Sequence, residues 1–104
     1  TILDVTGIRT WTDTLADGLE TIVNERGGNI SGGQAQRIII ARALLEERDC
    51  YLLDEPFNEL DAASVQRILG HFRAESRKGK MVILVTHDPV CLQQCDTIIP
   101  LHAG

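Results

Sequence analysis

Three groups of residues have the types and spacing to do chemistry. Ser31-Gly32-Gly33-Gln34, inside the stretch Asn29 to Arg37, is a short hydroxyl and a glycine pair running into a breaker-free segment from Ala35 to Leu45. Serine caps helix starts, and glycine lets a ligand come close to the backbone. A helix opening there aims unpaired N–H groups and the positive end of its dipole outward, an anion site whose usual occupant is phosphate. An ordinary capped helix with a glycine-containing entry is the alternative for the stretch taken alone. Asp54-Glu55 follows the apolar run Cys50-Tyr51-Leu52-Leu53, and His87 follows Met81-Val82-Ile83-Leu84-Val85 and Thr86. Adjacent carboxylates at a strand end suit a magnesium nucleotide site, one holding the metal's water shell and the other polarising a water. A histidine at the next strand end can reach a terminal phosphate. Singly, the carboxylates read as a solvated strand end and His87 as a helix cap; their order and spacing favour the joint reading.

These groups need particular elements to position them. The segment from Ala35 to Leu45 is apolar nearly all round, with Arg37 and Arg42 its main polar positions, and predicts a buried helix capped by Ser31. Cys50 to Leu53 predicts a buried parallel strand stopped by Pro56, which puts both carboxylates at the C-terminal edge where ligands bind in open α/β sheets. Asp61 caps a predicted helix with Val65, Ile68, Leu69 and Phe72 in one stripe, closed by Gly79. Met81 to Val85 predicts a second buried strand. Asp88-Pro89 opens a third helix, and Thr97 to Leu101 reads as an edge or short strand because of Pro100. Upstream, Thr1 to Ile8 reads as the end of a helix closed by Gly7. Thr10 to Asp13 reads as a capping box for a short helix that carries Trp11 and Leu15 and stops at Gly18. Leu19 to Val23 is ambiguous, and Asn24 to Gly28 is a loop by composition. Helices followed by β-α-β-α-β predict an α/β fold with a parallel sheet.

Size and charge narrow the class. The chain has 104 residues, room for one small domain, with 43% hydrophobic and 24% charged residues, as in folded soluble chains. Its net charge of -5 argues against a nucleic-acid-coating or membrane-surface protein. No apolar run approaches the roughly 18 residues of a bilayer span, and no signal peptide opens the chain. Cys50, Cys91 and Cys95, an odd count, read as reduced, packed thiols rather than a metal site.

Taken together the motifs resemble the nucleotide-binding domain of ATP-binding-cassette (ABC) transporters. Ile30-Ser31-Gly32-Gly33-Gln34 resembles the family signature LSGGQ with Ile for Leu, and Gln36-Arg37 through Leu44 matches the residues usual after that signature. Cys50 to Asp54 is similar to the Walker B strand, with Glu55 at the place of the catalytic glutamate. Asn58-Glu59-Leu60-Asp61 falls where the D-loop lies, Thr86-His87 resembles the switch histidine, and Asp96-Thr97-Ile98 with Leu101 and Gly104 resembles the strand closing the core. Leu15 to Leu19 with Glu25-Arg26-Gly27 is similar to the exporter branch, whose ERG segment touches the coupling helices of the membrane domain. Two departures stand out. Phe57-Asn58-Glu59 replaces the small residues usual at the D-loop, and Asp88-Pro89 after His87 is less exporter-like.

The resemblance implies a partial P-loop NTPase (RecA-like) core with a short parallel sheet, preceded by part of the ABC α-helical subdomain. Residues 1–48 then form the helical, signature-bearing portion and 49–104 the C-terminal part of the ATPase core. The Walker A pattern G-x-x-x-x-G-K-[ST] does not occur in the chain, and the adenine-stacking aromatic and Q-loop have no counterpart either, so the expectation is the C-terminal half of a cassette. In the family two cassettes sandwich ATP head to tail. Carried onto matching positions, Ser31, Gly32, Gly33 and Gln34 contact the γ-phosphate of ATP held by the second nucleotide-binding domain, and Asp54 holds the water shell of Mg²⁺. Glu55 is the general base, His87 steadies the γ-phosphate, Asp61 links the two sites, and Glu25, Arg26 and Gly27 couple to transmembrane domains. The implied place is the cytoplasmic face of the inner or plasma membrane, the chain itself being soluble, with no nucleic-acid partner. Competing readings are a soluble ABC-type ATPase of DNA repair or translation, a degenerate cassette serving as a dimerisation or regulatory module, and a plain α/β structural domain.

Overall fold

The structure, a computed structural model, describes residues 1–23 and 30–101. Two short helices come first, α1 (Ile2–Val5) and α2 (Ile8–Thr12). Gly7 separates them at φ 80°, a left-handed conformation that costs glycine little. The predicted capping box at Thr10 and Asp13 is displaced. Thr1 and Asp4 form the reciprocal pair instead, and the Gly7 turn starts α2 early enough to put Thr10 inside it. That helix ends at Thr12 rather than running to Gly18, and a 3₁₀ turn follows at Gly18–Glu20.

Helix α3 (Gly32–Leu45) begins at Ser31, whose hydroxyl accepts from the Gln34 amide while the Gln34 side chain accepts from the Ser31 amide. Both groups of the cap are therefore satisfied reciprocally. The helix is not buried all round as its composition predicts. Ile40, Ala41 and Leu44 are buried, but Ile39 and Leu45 are each 66% exposed, because only one side of the helix meets the described core.

Strands β1 (Cys50–Asp54) and β2 (Met81–Val85) pair in parallel, Cys50 with Met81 through Asp54 with Val85. Helix α4 (Ala62–Arg77) connects them, with the Asp61 carboxylate accepting from the Ser64 amide at its start and Gly79 at φ 95° beyond its end. The period-3.6 stripe buries Val65, Ile68 and Phe72 against Tyr51, Leu53 and Phe57, with Ile40 and Leu44 of α3 in the same cluster. Tyr51 and Phe72 meet edge to face with ring centroids 5.5 Å apart. The opposite face of the sheet, at Leu52, Met81, Ile83 and Val85, is exposed. The strands carry the apolar residues of a sheet covered on both sides, yet the described residues cover one.

Asp88 caps α5 (Pro89–Gln93), as its Asp-Pro start predicts. The third strand expected at residues 97–101 is not formed, and that segment is irregular. Pro100 has no ladder N–H to give, and Ile98, Ile99 and Leu101 are exposed, so no burial offsets the entropy of ordering them. The chain just before it is tied to α4 instead. Arg73 donates to the Gln94 carbonyl and lies 3.6 Å from Asp96, and Gln94 bonds Gln66.

Candidate functional site

Parallel pairing carries the ends of β1 and β2 to one edge, where Glu55 and His87 meet. The Glu55 amide donates to the Val85 carbonyl at 2.8 Å, extending the ladder one residue past the strand. Glu55 itself sits at φ 44°. A non-glycine residue holds that conformation only where its surroundings impose it, and here the extra ladder bond to Val85 ties the Glu55 backbone down. The turn leaves the Glu55 carboxylate 2.8 Å from His87 Nδ1, the two groups joined by a hydrogen bond. Glu55 is half-buried and His87 is almost fully exposed, with 90% of its side chain open to solvent. The Thr86 hydroxyl accepts from the Asp88 amide and fixes the turn after β2.

A cleft of about 480 Å³ opens beside this pair, lined among others by Phe57, Asn58, Thr86 and Val90. Asp54 is the last residue of β1 and, by strand alternation, belongs with Cys50 and Leu52 on the open face of the sheet. A carboxylate hydrogen-bonded to an imidazole can take a proton from water and hold the product charge. Among the described residues there is no cluster of three or more His, Cys, Asp or Glu side chains able to cage a metal. Mg²⁺ needs no such cage, since it binds through one or two carboxylates, waters and phosphate oxygens.

The second predicted site lies at the start of α3. Ser31 and Gln34 spend their side chains on each other, which leaves the amides of Gly32 and Gly33 without a hydrogen-bond partner among the described residues. Residues 57–60 pack against this turn. The Glu59 amide donates to Gln36 Oε1 at 3.0 Å, and a Cβ on Gly33 would stand 2.8 Å from the Glu59 carbonyl oxygen. Gly33 is glycine because backbone already fills the space a side chain would need. No hydrogen bond or ion pair among the described residues joins this site to the Glu55–His87 pair.

Asp61 caps α4, directly after the 57–60 segment that packs on α3. The Ser64 hydroxyl and amide, with Arg37 and Arg67 nearby, hold its carboxyl below the usual aspartate value. Arg37 is a residue to which sequence reasoning gave no task. Its guanidinium donates to the Thr6 carbonyl at 2.8 Å and the Ser64 hydroxyl at 3.0 Å, joining α1, α3 and α4. Its position directly after the Gln34-Ala35-Gln36 run was visible, but its long-range partners were not. Cys91 is buried, and burial, with the Asp88 carboxylate, pushes its thiol up. All three cysteines are free. Glu25, Arg26 and Gly27 lie outside the described residues.

A family model described as ABC transporter matches residues 6–58. The chain is 41% identical over 103 residues to an export ATP-binding/permease protein of Rickettsia bellii, covering 99% of this chain and 18% of that protein. It is 40% identical over 92 residues to ABC transporter C family member 5 of Arabidopsis thaliana (88% of this chain, 6% of that one), and 44% identical over 93 residues to multidrug resistance protein fer6 of Mycosarcoma maydis (88% and 7%). The solved structure of a bacterial Atm1-family ABC exporter with ATP bound superposes with a TM-score of 0.78 and 32% identity, over 88% of this chain and 16% of that one. The chain thus spans under a fifth of the length of the relatives it matches, and its short parallel sheet and helices match part of an exporter's nucleotide-binding domain. With the family model spanning half of its length, the chain belongs to the ABC transporter family.

Proposed function

We propose that the chain is part of the ATP-hydrolysing domain of an ABC exporter, the portion that carries the signature turn, the general base and the switch histidine. The observation that best supports this is the 2.8 Å contact between Glu55 and His87 at adjacent ends of parallel strands. Glu55 takes a proton from the attacking water, His87 orients the Glu55 carboxylate and steadies the γ-phosphate, and Asp54 holds the water shell of Mg²⁺. Ser31, Gly32, Gly33 and Gln34 meet the γ-phosphate of ATP carried by a second nucleotide-binding domain in a head-to-tail dimer, and Asp61 communicates between the two sites. Residues 1–48 are the helical signature portion and 49–104 the core portion. Glu25, Arg26 and Gly27 contact the transmembrane domains, which places the cassette at the cytoplasmic face of the membrane. No helix of the described residues is long and apolar enough to cross a bilayer, so transport requires those further domains. Without a Walker A loop these 104 residues alone do not hydrolyse ATP.

The test is Glu55→Gln in the full-length polypeptide that carries these residues. The variant is expected to retain ATP while its turnover falls by about 100-fold or more, the range a general base supplies. Turnover within about two-fold of the parent would refute the assignment.

A further inference from the structure

We infer that the Glu59 carboxylate is an electrostatic gate on the anion site at the start of α3, weakening phosphate binding there until its side chain swings aside. The inference rests on reading Ser31 to Gln34 as a phosphate-contacting turn. The carboxylate stands over that turn. A Cβ built on Gly32 would lie 3.2 Å from both Cγ and Cδ of Glu59 and 3.4 Å from Oε2.

The contacts that hold residues 57–60 to α3 use Glu59's backbone: its amide reaches Gln36, and its carbonyl presses on Gly33. Any residue with a backbone N–H could make them. The side chain does something separate. Glu59 is exposed, and among the described residues its carboxylate has no ion pair or hydrogen bond, yet its end lies against Gly32. The positive end of the α3 dipole, with the two glycine amides that lack a partner among the described residues, attracts a carboxylate to that position.

The same attraction makes the carboxylate a competitor for an incoming phosphate, because both anions seek one small region of positive potential. No cation among the described residues offsets it. Arg37, the nearest basic residue along α3, is turned away toward Thr6, Ser64 and Asp61. The gate takes phosphate-bearing ligands as its class, and it opens by rotation of one exposed side chain with no backbone change.

The test titrates the chain with inorganic phosphate at low salt and follows the backbone amides of Gly32, Gly33 and Gln34 by NMR. Glu59→Gln keeps the shape and both backbone contacts. It is expected to bind phosphate about three- to ten-fold more tightly than the parent chain, the size of one partly screened charge at close range. Glu59→Ala should move affinity the same way, since charge and not length is at issue. Raising salt to about 0.5 M should shrink the gap below about two-fold, because screening removes the repulsion. Equal affinities, or a gap that salt leaves unchanged, would overturn the gate while leaving the phosphate site standing. Absence of any shift at those amides in parent and variants would overturn both.

Discussion

The two candidate sites are built in opposite ways. At the start of α3 every part comes from a few consecutive residues: a serine and a glutamine that cap each other, and two glycines whose amides have no partner among the described residues. The Glu55–His87 pair joins residues 32 apart in sequence and exists only because β1 and β2 pair in register. The first site depends on local conformation and the second on the core. Both nevertheless lean on one element, α4, which comes directly after the 57–60 segment pressed on α3 and buries its stripe under both strands. Damage to the core should therefore reach the strand-end site first, and damage to the glycine turn should stay local.

The largest expected effect breaks the comparison by striking what the sites share. Ile68 is wholly buried at the centre of the α4 stripe. Ile68→Ala is expected to cost about 2–5 kcal/mol, lost burial plus a residual cavity, as read by urea denaturation. A loss under about 1 kcal/mol would mean that α4 is not the common support. A middle-sized effect isolates the helix-start site. Gly33→Ala drives a Cβ to 2.8 Å from the Glu59 carbonyl, a backbone atom that must shift, and is expected to cost about 1–3 kcal/mol. Gly32→Ala meets only the flexible end of the Glu59 side chain at 3.2 Å and should cost less than about 0.5 kcal/mol, the range of changes that strike nothing rigid. Equal costs for the two glycines would show that the Glu59 backbone does not set the requirement.

How much of the molecule was legible in the sequence divides along the same line. The Ser31 cap, the Asp61 and Asp88 caps, the α4 stripe and both strands are encoded within a few residues of where they act, and each is found in place. Thr10 was misread because a capping pattern is also present at Thr1, and the Gly7 turn decided between the two frames. The strand at residues 97–101 failed for a tertiary reason: its apolar residues have no partner surface, and Arg73 ties the preceding segment to α4. Burial of α3 and of the strands was overestimated because composition records what a chain is able to bury, not which faces meet a neighbour. The family motifs named Glu55 and His87 but carried no sign of the Glu55 backbone strain, nor of Arg37's bonds to Thr6 and Ser64.

The smallest expected effect sharpens the contrast through pH. Glu75, near the end of α4, is almost wholly buried and lies 3.0 Å from Lys80 and 3.4 Å from Lys78, with His71 at 3.7 Å. The Lys80 ammonium, aided by Lys78, holds the Glu75 carboxyl below the usual glutamate value against the opposing effect of burial, and Lys80 is raised in turn by Glu75. A carboxyl whose folded value is depressed adds stability that is fully present above its unfolded value and is lost as pH falls through the folded one. The loss should therefore fall on the acid side of about pH 4.3, the unperturbed glutamate value. Asp4, Glu46 and Asp61 are also depressed and share the global acid slope; the local readout separates them. Lys80 directly precedes β2, so acidification should lower hydrogen-exchange protection at Met81 to Val85 relative to Ile38 to Leu44 of α3. Glu75→Gln should flatten that difference across the acid range. Protection that falls equally in β2 and α3, or a variant that titrates like the parent, would place the acid-sensitive contact elsewhere. Because this latch sits at the strand end remote from Glu55, its loss would reach the Glu55–His87 pair only through β2, while the glycine turn, made from its own neighbours, should keep its geometry.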